Sequence, residues 1–194
     1  MLHSKYYKEY GLAISGLVKH HMIDPMAYNR EVDDALPLDD IIKPDPQLRK
    51  LLSDIDRSKV KPWLFTNAHI THAKRVVRLL GVEDMFEGVT YCDYSKEPLL
   101  AKPHVEMFEK AEREAGATPR DGCFFVDDSL LNCRYAAQRG WIVAHKLEKG
   151  DAASADPGWS EVRDLEELRR LFPQFFVESQ TPDIGIHRGT SAQL

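Results

Sequence analysis

Three short polar stretches in this chain could together bind a phosphate group beside a divalent cation. Thr66-Asn67 follows the apolar run 63–65, and Asp127-Asp128 follows the apolar run 123–126. Lys102 stands between these two stretches in the chain. A hydroxyl group and backbone amides can donate hydrogen bonds to phosphate oxygens, and a lysine balances their negative charge. The residue types therefore predict a site for an anionic phosphate ester.

The adjacent carboxylates of Asp127 and Asp128 predict a cation at this site, because two neighbouring negative charges at the end of a core strand are costly without compensation. Mg²⁺ is the expected cation, since it prefers oxygen ligands. Side chains alternate along a strand, so we assign Asp128 as the direct ligand, with Asp127 oriented nearby. Asn132 supports them from the first turn of the next helix. The simpler alternative is that Asp128 or Ser129 only caps that helix.

Thr66, Asn67 and Lys102 are the predicted phosphate-binding residues. The Thr66 hydroxyl and the backbone N–H of Asn67 can each donate to a phosphate oxygen, and Lys102 provides a fixed cation. The alternative for Thr66-Asn67 is a strand-end turn that satisfies only local backbone groups. The alternative for Lys102 is a surface lysine that precedes Pro103 at the start of a helix.

The elements that must position these residues alternate between strand and helix from residue 62 onward. This alternation predicts an α/β fold, with a parallel sheet covered by helices on both faces. Ligands of such sheets bind at the carboxyl ends of the strands, where the polar stretches are expected to meet. We expect a helical segment over residues 1–45, a core over residues 46–178 that ends in a helix at about 161–171, and a flexible tail over residues 179–194.

Bulk composition narrows the possible function classes. The chain has 194 residues, of which 43% are hydrophobic and 29% charged, and its formal net charge is −5. Without a long basic run, a long apolar run or a secretory signal, neither nucleic acid nor a membrane is an expected partner. The three cysteines lack a Cys-x-x-Cys spacing, which favours reduced thiols. We therefore expect a cytoplasmic or nuclear location. The composition does not fix an oligomeric state.

Two further groups of residues have a less specific pattern. His69 and His72 lie three residues apart without a third ligand in the sequence, so we interpret them as surface positions of a helix. An aromatic and basic cluster near the N-terminus comprises Lys5, Tyr6, Tyr7, Lys8 and Tyr10. This cluster could face a nucleobase, or it could be the packing face of an amphipathic helix.

The order of the polar motifs resembles that of the haloacid dehalogenase superfamily of phosphatases. The motifs are Phe65-Thr66-Asn67, Ala101-Lys102-Pro103 and Phe125-Val126-Asp127-Asp128-Ser129. Stretches such as Tyr6-Tyr7-Lys8-Glu9-Tyr10-Gly11 and Thr90-Tyr91-Cys92-Asp93-Tyr94-Ser95 make the chain most similar to the fungal pyrimidine 5′-nucleotidase group (the suppressor of disruption of transcription elongation factor IIS proteins).

This resemblance implies a Rossmann-like core, a helical cap whose later part is residues 1–45, and Mg²⁺-dependent hydrolysis of nucleoside 5′-monophosphates, pyrimidine ones in particular. It implies that Thr66 and Lys102 act in catalysis, that the Asn67 backbone holds the phosphoryl group, and that Asp128, with Asp127, binds Mg²⁺.

One family feature is absent from the sequence. The family opens with an apolar strand that ends in Asp-x-Asp, which supplies the nucleophile, and no such run precedes residue 40. Asp54-Ile55-Asp56 has the right letters but follows a helix, so we interpret it as a coincidence. We therefore expect the first core strand to be missing, two neighbouring strand edges to be exposed, and the chain to be inactive. The alternatives are a non-catalytic phosphate- or nucleotide-binding relative, and a truncated gene product without a separate function.

Overall fold

The computed structural model describes residues 2–117, 122–153 and 158–177, and the predicted flexible tail, residues 179–194, lies outside these ranges. The α-helices of the described ranges are α1 (Leu2–Tyr10), α2 (Ala13–His21), α3 (Pro25–Tyr28), α4 (Leu38–Ile41), α5 (Pro46–Ser53), α6 (Ile70–Leu79), α7 (Val105–Ala115), α8 (Leu130–Gln138) and α9 (Leu168–Leu171). A π-helix (Asn29–Asp33) continues α3, and short 3₁₀ helices cover Glu83–Met85, Leu165–Glu167 and Pro173–Phe175. No helix within the described ranges is long and apolar enough to cross a bilayer.

Within the described ranges, five short strands form two parallel sheets. They are β1 (Trp63–Phe65), β2 (Gly88–Thr90), β3 (Phe124–Asp127), β4 (Ile142–Lys146) and β5 (Ser160–Val162). β1 pairs with β2 in one sheet, and the other sheet has the order β3-β4-β5. Helices α6, α7 and α8 connect successive strands, as parallel pairing requires. The predicted α/β fold with parallel strands is confirmed.

The inner edges of β1 and β3 have no strand partner among the described residues. A cavity of about 260 Å³ lies between the two strands and is lined by residues of both. Its walls include Trp63 and Phe65 on one side, and Phe124 and Phe125 on the other. These are the two exposed edges that the sequence predicted around a missing central strand.

An aromatic cluster, formed by Phe65, Phe108, Phe125 and Trp141, links the two sheets beside this cavity. The ring of Phe108 lies edge-on to Phe65 at a centroid distance of 5.3 Å and to Trp141 at 5.2 Å. The ring of Phe65 also contacts that of Phe125 at 5.9 Å. Side chains from both sheets and from α7 therefore bury apolar surface against one another where backbone pairing is missing.

The prediction of a helix beginning at about residue 161 is wrong. Ser160–Val162 is strand β5, which pairs in parallel with Ala144–Lys146 of β4 and buries Val162. The helical turns begin only after Asp164, whose carboxylate caps Leu165–Glu167 in a capping box. The apolar residues of this segment fit a helical spacing, but the free edge of β4 offers backbone partners to the first of them.

Helices α1 and α2 form a hairpin that packs against the loop after β2. Ile14 of α2 is buried together with Cys92, Tyr94 and Ala101 of that loop. Gly11 joins the two helices with φ +71°, and a Cβ there would lie 2.5 Å from the Pro103 ring and 3.1 Å from the Lys102 carbonyl oxygen. The close approach of this turn to residues 102–103 therefore requires glycine.

Candidate active site

Lys102 joins the carboxyl ends of β1 and β3. Its Nζ donates to the Phe65 carbonyl oxygen at 2.7 Å and to Asp127 Oδ2 at 2.6 Å. The side chains of Lys102 and Asp127 are only 5% and 8% exposed. Such a pair is isolated from water, so removing one partner would leave a buried, uncompensated charge. The alternative of an ordinary surface lysine does not describe this residue.

Asn67 positions the backbone of Lys102. Its Nδ2 donates to the Lys102 carbonyl oxygen at 2.9 Å, and its Oδ1 accepts from the Lys102 N–H at 2.7 Å. The end of β1 is thereby tied to the loop that carries the lysine. The sequence predicted that the backbone N–H of Asn67 binds phosphate. It did not predict that the Asn67 side chain holds the backbone of Lys102.

Thr66 continues the ladder of the β1–β2 sheet and then turns the chain. Its N–H donates to the Thr90 carbonyl oxygen at 2.9 Å, and its hydroxyl oxygen accepts from the Ala68 N–H at 3.0 Å. A hydroxyl group that accepts one hydrogen bond still has its own proton to donate. The local turn expected as the simpler explanation is therefore present, and it does not use the hydroxyl proton.

The carboxylate of Asp127 has several donors besides Lys102. The Ser129 N–H donates to its Oδ1 at 2.9 Å, and Asn132 Nδ2 donates to the same atom at 3.0 Å. Asn132, in the first turn of α8, therefore contacts this site through its side-chain Nδ2. Ser129 is the N-cap of α8 and accepts from the Asn132 N–H at 3.5 Å. The alternative in which Ser129 caps the helix is thus also present, and it coexists with the carboxylate cluster.

Asp128 lies next to this cluster but is exposed to solvent. Its backbone carbonyl oxygen accepts from His145 Nε2 at 3.1 Å, which anchors the turn between β3 and α8 to the adjacent strand β4. His145 is a buried residue that the sequence reasoning missed, and only its position within a core strand could have indicated it. The oxygen atoms of Asp127 and Asp128 are suitable magnesium ligands. Among the described residues, however, no three acidic, histidine or cysteine side chains converge as a ready-made metal site.

Cys133 lies directly below the acidic turn and is fully buried. Its Sγ is 3.5 Å from the Asp127 carbonyl oxygen. Burial, with a smaller contribution from the nearby negative charge of Asp127, raises the pKa of the thiol to about 12. A thiol with this pKa stays protonated at neutral pH, so Cys133 is not a nucleophile.

The sequence predicted His69 as a surface residue, and this prediction is wrong. The residue is only 7% exposed and is the N-cap of α6. Its ring packs against Tyr94 at a centroid distance of 5.5 Å, and its Nδ1 lies 3.1 Å from the Thr71 hydroxyl. His72 is partly buried, and its Nδ1 has no hydrogen-bond partner among the described residues. Sequence reasoning placed both on an open helix face because the residues that contact this end of α6, such as Asn29 and Tyr94, are remote in sequence.

Comparison with known proteins identifies the family. The model of the haloacid dehalogenase-like hydrolase family matches residues 5–140. The chain belongs to the haloacid dehalogenase-like hydrolase family. This haloacid dehalogenase-like chain is similar to Phosphate metabolism protein 8 of Saccharomyces cerevisiae, with 42% identity over 152 residues. The match covers 74% of this chain and 47% of the yeast protein, so the chain spans about half the length of that relative.

Solved structures agree with the fold of the haloacid dehalogenase-like family. A dehalogenase crystallised with an intermediate complex has a TM-score of 0.59 at 15% identity, with 82% of this chain and 69% of that chain covered. A HAD phosphatase from Thermococcus onnurineus has a TM-score of 0.57 at 18% identity, with 91% and 88% covered. At these identities the similarity concerns the fold alone.

Proposed function

We propose that this chain forms the phosphate- and Mg²⁺-binding part of a phosphoric monoester hydrolase for nucleoside 5′-monophosphates, pyrimidine ones in particular. The observation that carries the proposal is the position of Lys102 Nζ, which contacts both the Phe65 carbonyl oxygen and the Asp127 carboxylate. Membership of a hydrolase family and similarity to a yeast protein named for phosphate metabolism support it. The preference for pyrimidine nucleotides rests on the resemblance of the N-terminal and 90–95 stretches to that nucleotidase group.

Two hydrogen-bond donors at this edge are available to a phosphoryl group. The ammonium group of Lys102 has three N–H donors, two of which are used by the Phe65 carbonyl oxygen and by Asp127. Its third N–H and the Thr66 hydroxyl proton are the groups that would contact phosphate oxygens. Asp127 holds the ammonium in place, and Asn67 fixes the backbone that carries it. The burial of this lysine strengthens its attraction for an anion.

Asp128 is the residue that would hold Mg²⁺, because its carboxylate is open to solvent beside the phosphate site. Asp127 is already neutralised by Lys102, so its contribution would be to orient the turn. When bound, Mg²⁺ would offset the charge of the phosphoryl group, and it would complete its oxygen shell with water and substrate. The donor chemistry fits magnesium, but a single exposed carboxylate predicts weak binding.

Turnover requires a group that attacks phosphorus, and we propose that none of the described residues near Lys102 acts as that group. Asp127 accepts hydrogen bonds from Lys102, Ser129 and Asn132, and Cys133 is protonated. Asp54 pairs with Lys50 and Arg169, and Asp56 accepts from Ser58, so the Asp-x-Asp sequence at residues 54–56 is engaged elsewhere. We therefore propose binding without hydrolysis for the chain as it stands. We also propose that the helices up to α4 are the later part of a substrate-selecting cap.

The test combines calorimetry with a phosphate-release assay on the purified chain. We expect saturable binding of UMP in the presence of Mg²⁺, and no phosphate release above the buffer blank. Thr66→Val should weaken binding by about five-fold or more, because one hydrogen bond to a charged group is lost. Thr66→Ser keeps the hydroxyl and should bind like the wild type.

Each other outcome of this test has a defined meaning. Magnesium-dependent release of phosphate from UMP would overturn the non-catalytic part of the proposal and leave the binding site in place. Failure of the folded chain to bind either UMP or inorganic phosphate would overturn the whole proposal.

A second candidate function is a binding or regulatory module, for which nucleotide binding is the function itself and not one part of a hydrolase. The observation that favours it is the set of hydrogen bonds from Lys102, Ser129 and Asn132 to Asp127, which holds this carboxylate and the ammonium group in place without a further strand. Micromolar affinity for a nucleotide without turnover would support this function. Affinity only in the millimolar range would favour a chain without a separate function.

A further inference from the structure

Helix α1 and the residue that follows it approach the candidate site at two points. At its centre, the Tyr7 hydroxyl donates to Ser129 Oγ at 3.1 Å, on the turn that follows Asp127 and Asp128. At its C-terminal end, Gly11 lies against the carbonyl oxygen of Lys102. The helix is therefore placed across the edge at which the phosphate-binding groups meet.

The three tyrosines of α1 have different environments. Tyr6 is 5% exposed, stacks on the His20 ring at 5.4 Å, and packs so closely on α2 that a Cβ at Gly16 would lie 2.2 Å from its ring. The Tyr10 hydroxyl pairs with His20 Nε2 at 2.7 Å. Tyr6 and Tyr10 thus hold the α1–α2 hairpin together. The ring of Tyr7, in contrast, is 42% exposed, and its hydroxyl is anchored beside the acidic turn.

We propose that Tyr7 recognises the base of the bound nucleotide by stacking its ring against the base plane. This inference rests on the proposed function, since it assigns the substrate's base to a residue beside the phosphate site. An exposed aromatic ring offers a flat apolar surface, and base–aromatic stacking tolerates any base because each has a π-face. The hydrogen bond to Ser129 restricts the ring before the ligand arrives, which lowers the entropic cost of stacking.

The stacking role makes a prediction that a purely structural role does not make. Loss of the Tyr7 ring should weaken binding of ligands that contain a base and leave ligands without a base unaffected. The hydroxyl should matter less than the ring, because it only orients the ring through Ser129. Tyr7 therefore distinguishes nucleotides from sugar phosphates and from inorganic phosphate.

The experiment measures, by calorimetry with Mg²⁺, the affinity of the chain for UMP, ribose 5-phosphate and inorganic phosphate. We expect Tyr7→Ala to weaken UMP binding by about ten-fold or more, the usual size of a lost base–aromatic stack. The same variant should change the other two affinities by less than about two-fold. Tyr7→Phe keeps the ring and should bind UMP within about three-fold of the wild type. Tyr135→Ala, which removes a tyrosine of similar exposure (43%) on α8, is the matched control and should bind like the wild type.

The remaining results distinguish a failure of the stacking role alone from a failure of the proposed function. If Tyr7→Ala weakens all three ligands equally, Tyr7 acts through the turn at Ser129, and the stacking role is overturned while the phosphate site stands. If Tyr7→Ala binds all three ligands like the wild type, the stacking role is overturned as well. If the folded wild-type chain binds none of the three ligands, both proposals fail together.

Discussion

The gap between β1 and β3 is bridged differently at its two ends. At the carboxyl end, Lys102 donates to the Phe65 carbonyl oxygen and to Asp127, so directional hydrogen bonds set the geometry. Below that end, aromatic rings pack beside a cavity of about 260 Å³, where contacts are non-directional. The difference shows that side-chain hydrogen bonds can position the polar residues at the ends of two strands even when those strands are not paired with each other.

The largest effect is expected in the aromatic region. Phe108→Ala should lower the free energy of unfolding by about 4 kcal/mol, because it removes a fully buried ring and leaves a cavity. The ring contacts Phe65, Phe125 and Trp141 and so joins both sheets. Urea denaturation would measure this loss. Tyr135→Ala serves as the exposed control, and a loss of less than about 1 kcal/mol for Phe108→Ala would show that the rings do not hold the sheets together.

The polar bridge should come next in size. Lys102→Met keeps the apolar stem but leaves the buried Asp127 carboxylate without its cation, so we expect a loss of about 3 kcal/mol. The double variant Lys102→Met/Asp127→Leu removes both charges and should recover part of that loss in the same denaturation experiment. Equal stability of Lys102→Met and the wild type would contradict the assignment of a buried, paired ammonium group.

The pH dependence of stability tests the hydrogen bonds that Glu112 accepts from Arg139 and Trp141. Burial raises the pKa of Glu112, but the hydrogen bonds from Arg139 and Trp141 prevail and hold it below its ordinary range. A lowered carboxyl pKa stabilises the fold at neutral pH, and this stabilisation is lost as the pH falls below about 4. Glu112→Gln should therefore lower stability at pH 7 and lose less on acidification than the wild type. Parallel stability curves for the two proteins against pH would contradict this linkage.

The smallest effect on stability is expected for the exposed ion pair Arg49–Asp84, which we compare with the buried pair Lys102–Asp127. Arg49 and Asp84 form a bidentate pair at 2.8 and 2.9 Å, but both side chains are largely exposed. Asp84→Ala should therefore leave the urea midpoint of unfolding nearly unchanged. If it were as destabilising as Lys102→Met, burial would not be what distinguishes the two pairs.

The sequence predicted the features that depend on local pattern. Apolar runs gave β1 and β3, and the alternation of strand and helix gave parallel pairing. It also predicted the exposed edges beside the gap. The assignment of the six site residues to a phosphate and metal site stays a prediction that the binding experiments test; these residues are Thr66, Asn67, Lys102, Asp127, Asp128 and Asn132.

The features that the sequence did not predict depend on contacts between distant segments. Val162 has helical spacing with Leu165, yet it lies in strand β5 because the edge of β4 offers it backbone hydrogen bonds. His69 is covered by side chains from other elements, Tyr91 and Tyr94, which no pattern within α6 could indicate. The contact of Tyr7 with Ser129 joins residues that are 122 positions apart. Spacing rules are local, and these contacts are not.

The central claim is that inorganic phosphate binds where the ends of β1 and β3 meet. The most direct measurement is a phosphate titration of the ¹⁵N-labelled chain, followed by NMR. We predict saturable shifts of the amide signals of residues 66–68, 102 and 127–129, and their loss in Thr66→Val. Shifts confined to other surfaces, or no saturable shifts in a folded chain, would contradict the account.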